Sequence, residues 1–273
     1  MKSKATQLLN EALDQMQWYR FRLNCPLARA AAKCMPAGDF FYSVNVSDRY
    51  RYVYMDNPKT GCYSLKSALV ELETRGLESS PDYYDGKVLH DRDRSPLRRL
   101  TDLKMGAPLS ALASRGYRFV TFVRNPYARL LSCYRDKILH NGPQKRQVLR
   151  GLGFPADDLT RPVSFEEFVR AVARESDYAM DVHWRPQTSQ IFFEALNYSF
   201  IGRFENYQED FEALFGHLGI PAEDIPVARH LNRTKGGLRE LCGEFYTGDI
   251  QATVYERYKK DFDNFGYSPE LPD

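Results

Sequence analysis

The feature that most constrains this chain is a change of hydrophobic period inside one short stretch. Tyr52-Val-Tyr-Met55 is a β-branched and aromatic run of the kind that forms a buried strand. Asn57-Pro58 breaks it, because proline fixes φ and offers no donor. From Cys62 onward, Leu65, Ala68, Leu69 and Leu72 fall at i, i+3, i+4 and i+7, one face of a helix. Lys59, Thr60 and Gly61 therefore make a tight turn from strand to helix. Such a turn aims free backbone N–H groups, the positive end of a helix dipole and here a lysine at one place, which suits a phosphate or sulfate. An ordinary loop with a solvated lysine satisfies the same pattern, and this stretch alone does not separate the two.

A second unit repeats the arrangement. Phe119-Val-Thr-Phe-Val123 reads as another buried strand, and Pro126 sits near the start of the following helix, where a missing N–H costs little. Leu131, Tyr134 and Ile138 mark that helix's core face. Arg124 leaves the strand end and Ser132 lies two turns into the helix, so a fork-shaped cation and a hydroxyl converge on a second anion. A third strand is expected at Tyr198–Ile201, followed by a helix marked by Tyr207, Phe211, Leu214, Phe215 and Leu218 and stopped by Gly219 and Pro221. Strands alternating with helices predict an α/β fold: a mostly parallel central sheet flanked by helices, with ligands beyond the carboxyl ends of the strands. Both anion traps lie there.

At 273 residues, with 43% hydrophobic and 27% charged residues, the chain has the composition of one globular domain over 1–273. A net charge of +2 gives no reason to expect nucleic acid. No apolar run approaches ~20 residues, so no membrane span is expected, and no secretory leader is apparent. The five cysteines, without a CxxC pair, suggest neither a disulfide framework nor a zinc site, and no metal is expected.

The remaining stretches are less informative. Residues 1–50 read as an N-terminal docking segment, with Leu9, Leu13 and Met16 at helical spacing ahead of Trp18 and Tyr19, and with 25–50 irregular. Lys87-Val-Leu89 is expected to be a short strand that delivers His90, and Asp91–Arg99 a self-paired charged surface. Residues 140–162 look like a mobile insertion covering an acceptor site. Ser164 with Glu167 predicts a capping box, and Ile250–Phe265 a closing helix.

Five segments in order carry a family resemblance. Pro58-Lys-Thr-Gly-Cys-Tyr-Ser64 resembles the 5′-phosphosulfate loop of sulfotransferases, and Arg124-x-Pro-x-x-Arg-x-x-Ser132-x-Tyr134 their 3′-phosphate motif. Asp181-Val-His-Trp-Arg-Pro-Gln187, Tyr198-Ser-Phe-Ile-Gly-Arg-Phe-Glu205 and Tyr258-x-x-Asp261-Phe262-x-x-Phe265-Gly266-Tyr267 are similar to the carbohydrate branch of that family, which includes the chondroitin type and bacterial relatives. The resemblance implies a P-loop-like three-layer domain and sulfuryl transfer from 3′-phosphoadenosine 5′-phosphosulfate (PAPS) to an acceptor hydroxyl, most naturally on a carbohydrate. It implies that Pro58, Lys59, Thr60, Gly61, Cys62, Tyr63, Ser64, Arg124 and Ser132 bind the donor, joined by Arg233 and Lys235 of the late loop Leu231–Gly237. Relatives often carry Thr or Ser where this chain has Tyr63, which leaves Ser64 to supply the hydroxyl contact. Lys59 is the expected catalytic cation at the leaving oxygen, and His90, between the two phosphate motifs, the expected base.

His183, Trp184 and Arg185 are the expected acceptor contacts, with Trp184 equally readable as core packing. Arg203 and Glu205 are readable as a wall of the site or as an ion pair fixing the third strand end. The missing leader implies a bacterial cytoplasmic enzyme or a trimmed chain. Two readings compete. A small-molecule kinase would need Gly-x-x-x-x-Gly-Lys-Ser/Thr, but Lys66-Ser67 follow Gly61 without the second glycine. A non-catalytic glycan-binding relative would have no use for Lys59, Arg124 and Ser132 together.

Overall fold

In the computed structural model, which describes residues 18–19, 29, 32–76, 89, 95–98, 109–228 and 238–272, the two period changes become adjacent strand–turn–helix units. Helix α1 (Ala37–Ser43) leads into β1 (Val44–Ser47), and β2 (Tyr52–Met55) returns beside it before helix α2 (Cys62–Thr74). Helix α3 (Leu109–Ser114) precedes β3 (Arg118–Val123), which is followed by α4 (Pro126–Cys133) and a π-helical stretch, Tyr134–Leu139. Next come α5 (Lys145–Gly151), α6 (Phe165–Ala173), the short α7 (Gln187–Gln190), β4 (Phe200–Arg203) and α8 (Tyr207–His217). Helices α9 (Leu238–Phe245) and α10 (Gly248–Phe265) close the fold.

The sheet has the order β1-β2-β3-β4. Only β1 runs antiparallel, with Val44 opposite Met55; Tyr54 lies beside Val120 and Val120 beside Phe200 in the parallel part. Alternation within each strand makes the layers. Tyr52, Tyr54, Val120 and Phe122 face α2 and α8, whereas Val53, Met55, Phe119 and Val123 face a second core with Phe40, Phe41 and Trp18. A third apolar cluster joins α4, α5, α6, α9 and α10 through residues such as Tyr127, Phe168, Trp184 and Phe262.

Several expectations need correction. Residues 25–50 are not irregular throughout: α1 and β1 lie within them, and β1 is wholly buried. Its polar Asn45 is satisfied there by the carbonyls of Ser43 (3.1 Å) and Tyr54 (3.3 Å), which propensity alone does not reveal. The third strand begins at Phe200, two residues later than expected. Residues 140–162 hold helix α5, and Val148 and Leu149 bury its inner face, so the stretch is more structured than a loop. Of Lys87–His90 only Leu89 is described, buried and helical rather than extended. The capping box at Ser164 and Glu167 is present in both directions (2.8 and 3.1 Å). Trp18 rests against Phe40 and Phe41, and most of the rest of the expected docking segment before residue 32 lies outside the described residues. None of the helices in the described residues is long and apolar enough to cross a membrane.

Candidate active site

The first turn is strained where a ligand loop is expected to be. Lys59 takes a left-handed φ of 73° and Gly61 one of 83°, immediately before α2. A side chain on Gly61 would meet the Tyr207 ring at 2.4 Å, so only glycine fits. Lysine in this region costs about 1 kcal/mol, and the surroundings must hold it there. They do so from three sides. Arg124 Nη1 donates to the Lys59 carbonyl (3.2 Å), Arg129 Nε to the Pro58 carbonyl (2.9 Å), and Thr60 Oγ1 to the Asn57 carbonyl (2.7 Å). No side chain caps α2, which leaves the amides of its first turn for another acceptor. Ser64 is buried in that turn and Tyr63 is partly exposed beside it.

Arg124 is the second half. It is almost wholly buried, with its guanidinium 4.2 Å over the Phe204 ring and its Nε without a hydrogen-bond partner. Burial pulls its pKa down to about 10 despite the nearby charge of Glu205, and no ion pair relieves it among the described residues. A cation left in this state is a ready anion receptor. The partly exposed Ser132 stands on α4, whose start is capped by Asn125 Oδ1 accepting from the amides of Tyr127 (3.0 Å) and Ala128 (3.3 Å). Lys59 Nζ meets Asp136 of the π-helical stretch at 2.8 Å, and Asp136 also takes Lys137 (3.1 Å). Burial raises the Asp136 carboxyl, but the two lysines outweigh it and hold the group below its ordinary range.

Asp181–Gln187 behaves differently. Trp184 is wholly buried, packs edge-on against Phe168 (5.8 Å) and donates Nε1 to Glu175 (2.9 Å). Arg185 is also wholly buried and donates to Asp177 O (2.8 Å), Gln190 Oε1 (2.9 Å) and Asp39 Oδ2 (2.7 Å). The expectation that these two contact a sugar is therefore corrected: neither presents a free face, and both build the interior. His183 alone of the three reaches solvent, with its Nδ1 on Asp181 Oδ1 at 2.6 Å. Glu205 and Arg203 do not pair. Glu205 accepts from the Asn125 amide (2.7 Å) and the Tyr267 hydroxyl (2.9 Å), whereas Arg203 reaches the Phe265 carbonyl. His90, Arg233 and Lys235 lie outside the described residues.

Three residues matter more than the sequence reading allowed. Arg129, wholly buried, holds the Pro58, Val182 and Arg185 carbonyls at once. Gln187 accepts from Asn57 (3.0 Å) and from the Arg124 amide (2.9 Å), and returns a bond to the Arg124 carbonyl (2.7 Å). Asp261, buried in α10, accepts the amides of Gln187 (2.7 Å) and Thr188 (2.8 Å); burial still keeps its carboxyl above the usual range. All three stand in the quoted motifs, so the signal was present without its meaning. Cys133, in the α4 core, has its thiol pushed up by burial to about 12, and Cys62 to about 11. Asp56, at the end of β2, is buried in an ion pair with Lys66. Among the described residues no three His, Cys, Asp or Glu side chains gather as metal ligands.

The profile described as "Sulfotransferase family" matches residues 42–268. Carbohydrate sulfotransferase 9 of Homo sapiens is 26% identical over 243 residues, 82% of this chain and 53% of that protein. Carbohydrate sulfotransferase 8 of Homo sapiens is 27% identical over 84% of this chain and 56% of its own length, and carbohydrate sulfotransferase 10 of Xenopus laevis 26% identical over 81% and 66%. The chain thus spans between about half and two thirds of the curated relatives it matches. No solved structure matches it.

Proposed function

The chain belongs to the sulfotransferase family, and on that premise we propose that it transfers a sulfuryl group from PAPS to a hydroxyl of a carbohydrate or glycoconjugate by in-line displacement. The observation that carries this reading is the bond from Arg124 Nη1 to the Lys59 carbonyl, which makes the two anion traps one continuous surface. The relatives' names, carbohydrate sulfotransferases, support the acceptor class.

The residues fit such a donor. An uncapped helix start preceded by Gly61 suits a 5′-phosphosulfate, and a buried guanidinium with an unused Nε suits a 3′-phosphate. Bound there, PAPS supplies the sulfuryl group. The amides of Thr60 to Ser64 hold the 5′-phosphate, Arg124 and Ser132 the 3′-phosphate, and Lys59 neutralises charge growing on the leaving oxygen. Lys59 turns from Asp136 to do so, a small cost for a partly exposed pair. Arg233 and Lys235 are assigned to the 3′-phosphate side by the family pattern. A kinase reading loses its metal-binding strand end, because Asp56 is occupied by Lys66.

Calorimetry with the desulfated nucleotide in EDTA is expected to show binding, and Arg124→Ala to lose most of it. Equal affinity for ATP would overturn the assignment of Arg124 and Ser132.

A further inference from the structure

Resting on that reading, we propose that His183, oriented by Asp181, is the catalytic residue that takes the proton of the acceptor hydroxyl.

Position comes first. Arg129 is wholly buried, and its one guanidinium holds the Pro58 carbonyl through Nε (2.9 Å) and the Val182 carbonyl through Nη2 (3.2 Å). Hydrogen bonds of this length from one planar group put the two carbonyls within roughly 8 Å of each other. These are the carbonyls that immediately precede Lys59 and His183. The backbone just before the lysine and just before the histidine is thus tied to one group that itself cannot reach solvent.

Orientation comes second. Asp181 Oδ1 accepts both the His183 backbone amide (2.9 Å) and the ring Nδ1 (2.6 Å). A carboxylate has no proton to donate, so the short contact puts the hydrogen on Nδ1 and leaves the Nε2 lone pair as the acceptor. Burial alone would raise the Asp181 carboxyl, but the hydrogen bonds from the His183 ring and amide, with the charge of Arg185 adding to them, hold it below its usual range, so it stays ionised. This is the base-and-orienter arrangement that proton transfer requires. The other two described histidines lack it: His140 is exposed with no carboxylate on its ring, and His217 contacts Ser199 Oγ (3.0 Å) on α8.

Access comes third. Asp181 also lines a cavity of about 250 Å³ with Gln144, Arg146, Gln147 and Arg150 of the α5 region, which leaves open space beside its carboxylate. In the transfer, the hydroxyl proton passes to His183 Nε2 while the hydroxyl oxygen bonds to sulfur. The bond from sulfur to the bridging oxygen breaks, and its electron pair stays on the 5′-phosphate oxygen at Lys59.

The test combines turnover, binding and a spectroscopic readout. With radiolabelled PAPS and a panel of unsulfated glycosaminoglycan and N-glycan oligosaccharides, His183→Asn is expected to lower turnover ~10²–10⁴-fold. Its affinity for the desulfated nucleotide and its melting temperature should match wild type. Nitrogen-15 spectra of the wild-type chain labelled at histidine should show His183 protonated on Nδ1 and bare on Nε2. Asp181→Asn should mix the tautomers and lower turnover, and Asp181→Glu should restore part of both. Near-normal turnover in His183→Asn, or a wild-type ring protonated on Nε2, overturns the proposal. So does His90→Asn abolishing transfer while His183→Asn spares it. If the wild-type chain neither binds the desulfated nucleotide nor sulfates any oligosaccharide, the proposed function fails instead, and the tautomer spectrum still decides whether the pair is set up as a base. Should His183→Asn not fold, the Asp181 variants and the spectrum decide alone.

Discussion

Pro58–Ser64 and Asp181–Gln187 look alike in sequence: each is a short motif crowded with polar, cationic and aromatic side chains. The fold treats them in opposite ways. At Pro58–Ser64 the turn is braced by Arg124, Arg129 and Thr60 bonding to carbonyls of its backbone and of Asn57, and no side chain caps the helix that follows. In the later segment the motif residues are themselves the braces. Trp184 fills the interior, Arg185 spends its guanidinium on four neighbours, and Gln187 ties two strand ends together. Only His183 escapes this use. Motif density therefore does not separate ligand residues from scaffold; the state of each polar atom does, because a buried group whose bonds are all made has nothing left for a ligand.

The strongest way to break this contrast is Trp184→Ala. Removing a wholly buried tryptophan is expected to cost ~3–5 kcal/mol, read as a large fall in melting temperature. A variant that melts normally but has lost acceptor affinity would return Trp184 to the sugar site. Lys59→Ala tests the opposite side. Turnover should fall ~10²–10³-fold while affinity for the desulfated nucleotide changes far less, because the contact strengthens only as charge moves to the leaving oxygen. Equal losses would make Lys59 a plain phosphate ligand.

Arg124→Met sharpens the contrast further. A buried cation without an ionic partner destabilises the empty protein, which offsets the loss of its bond to the Lys59 carbonyl, so its removal should change the melting temperature little while nucleotide affinity drops at least ~10-fold. A marked loss of stability would class Arg124 with Arg129 as scaffold. The smallest effect belongs to Asp136→Asn. Its folded pKa is depressed by Lys59 and Lys137 after burial has pushed it up, so the stabilisation is present at neutral pH and fades as pH falls below about 4. The carboxylate is half exposed, so chemical denaturation at neutral pH should register under ~1 kcal/mol, and the difference from wild type should shrink as pH falls through the lowered pKa of the folded carboxyl. A larger loss would mean that the Lys59 pair holds the π-helical stretch in place.

The frame of the fold follows from local signals. Period changes at Cys62 and Pro126, the breaker at Pro58 and the capping box at Ser164 are local signals, set by backbone geometry within a few residues, and the elements they announce are present. The proposed anion traps at Lys59 and Arg124 rest on the same kind of signal: strand, turn and helix start are contiguous in the chain. How distant segments divide the work is set by packing instead. That β1 is a buried strand depends on carbonyls at Ser43 and Tyr54 accepting Asn45. That Arg129 bonds to three carbonyls while Arg124 keeps an unused Nε depends on which carbonyls lie within reach of two arginines five positions apart on the chain. Side-chain type fixes how many hydrogen bonds a residue can make, but only packing fixes how many are already made.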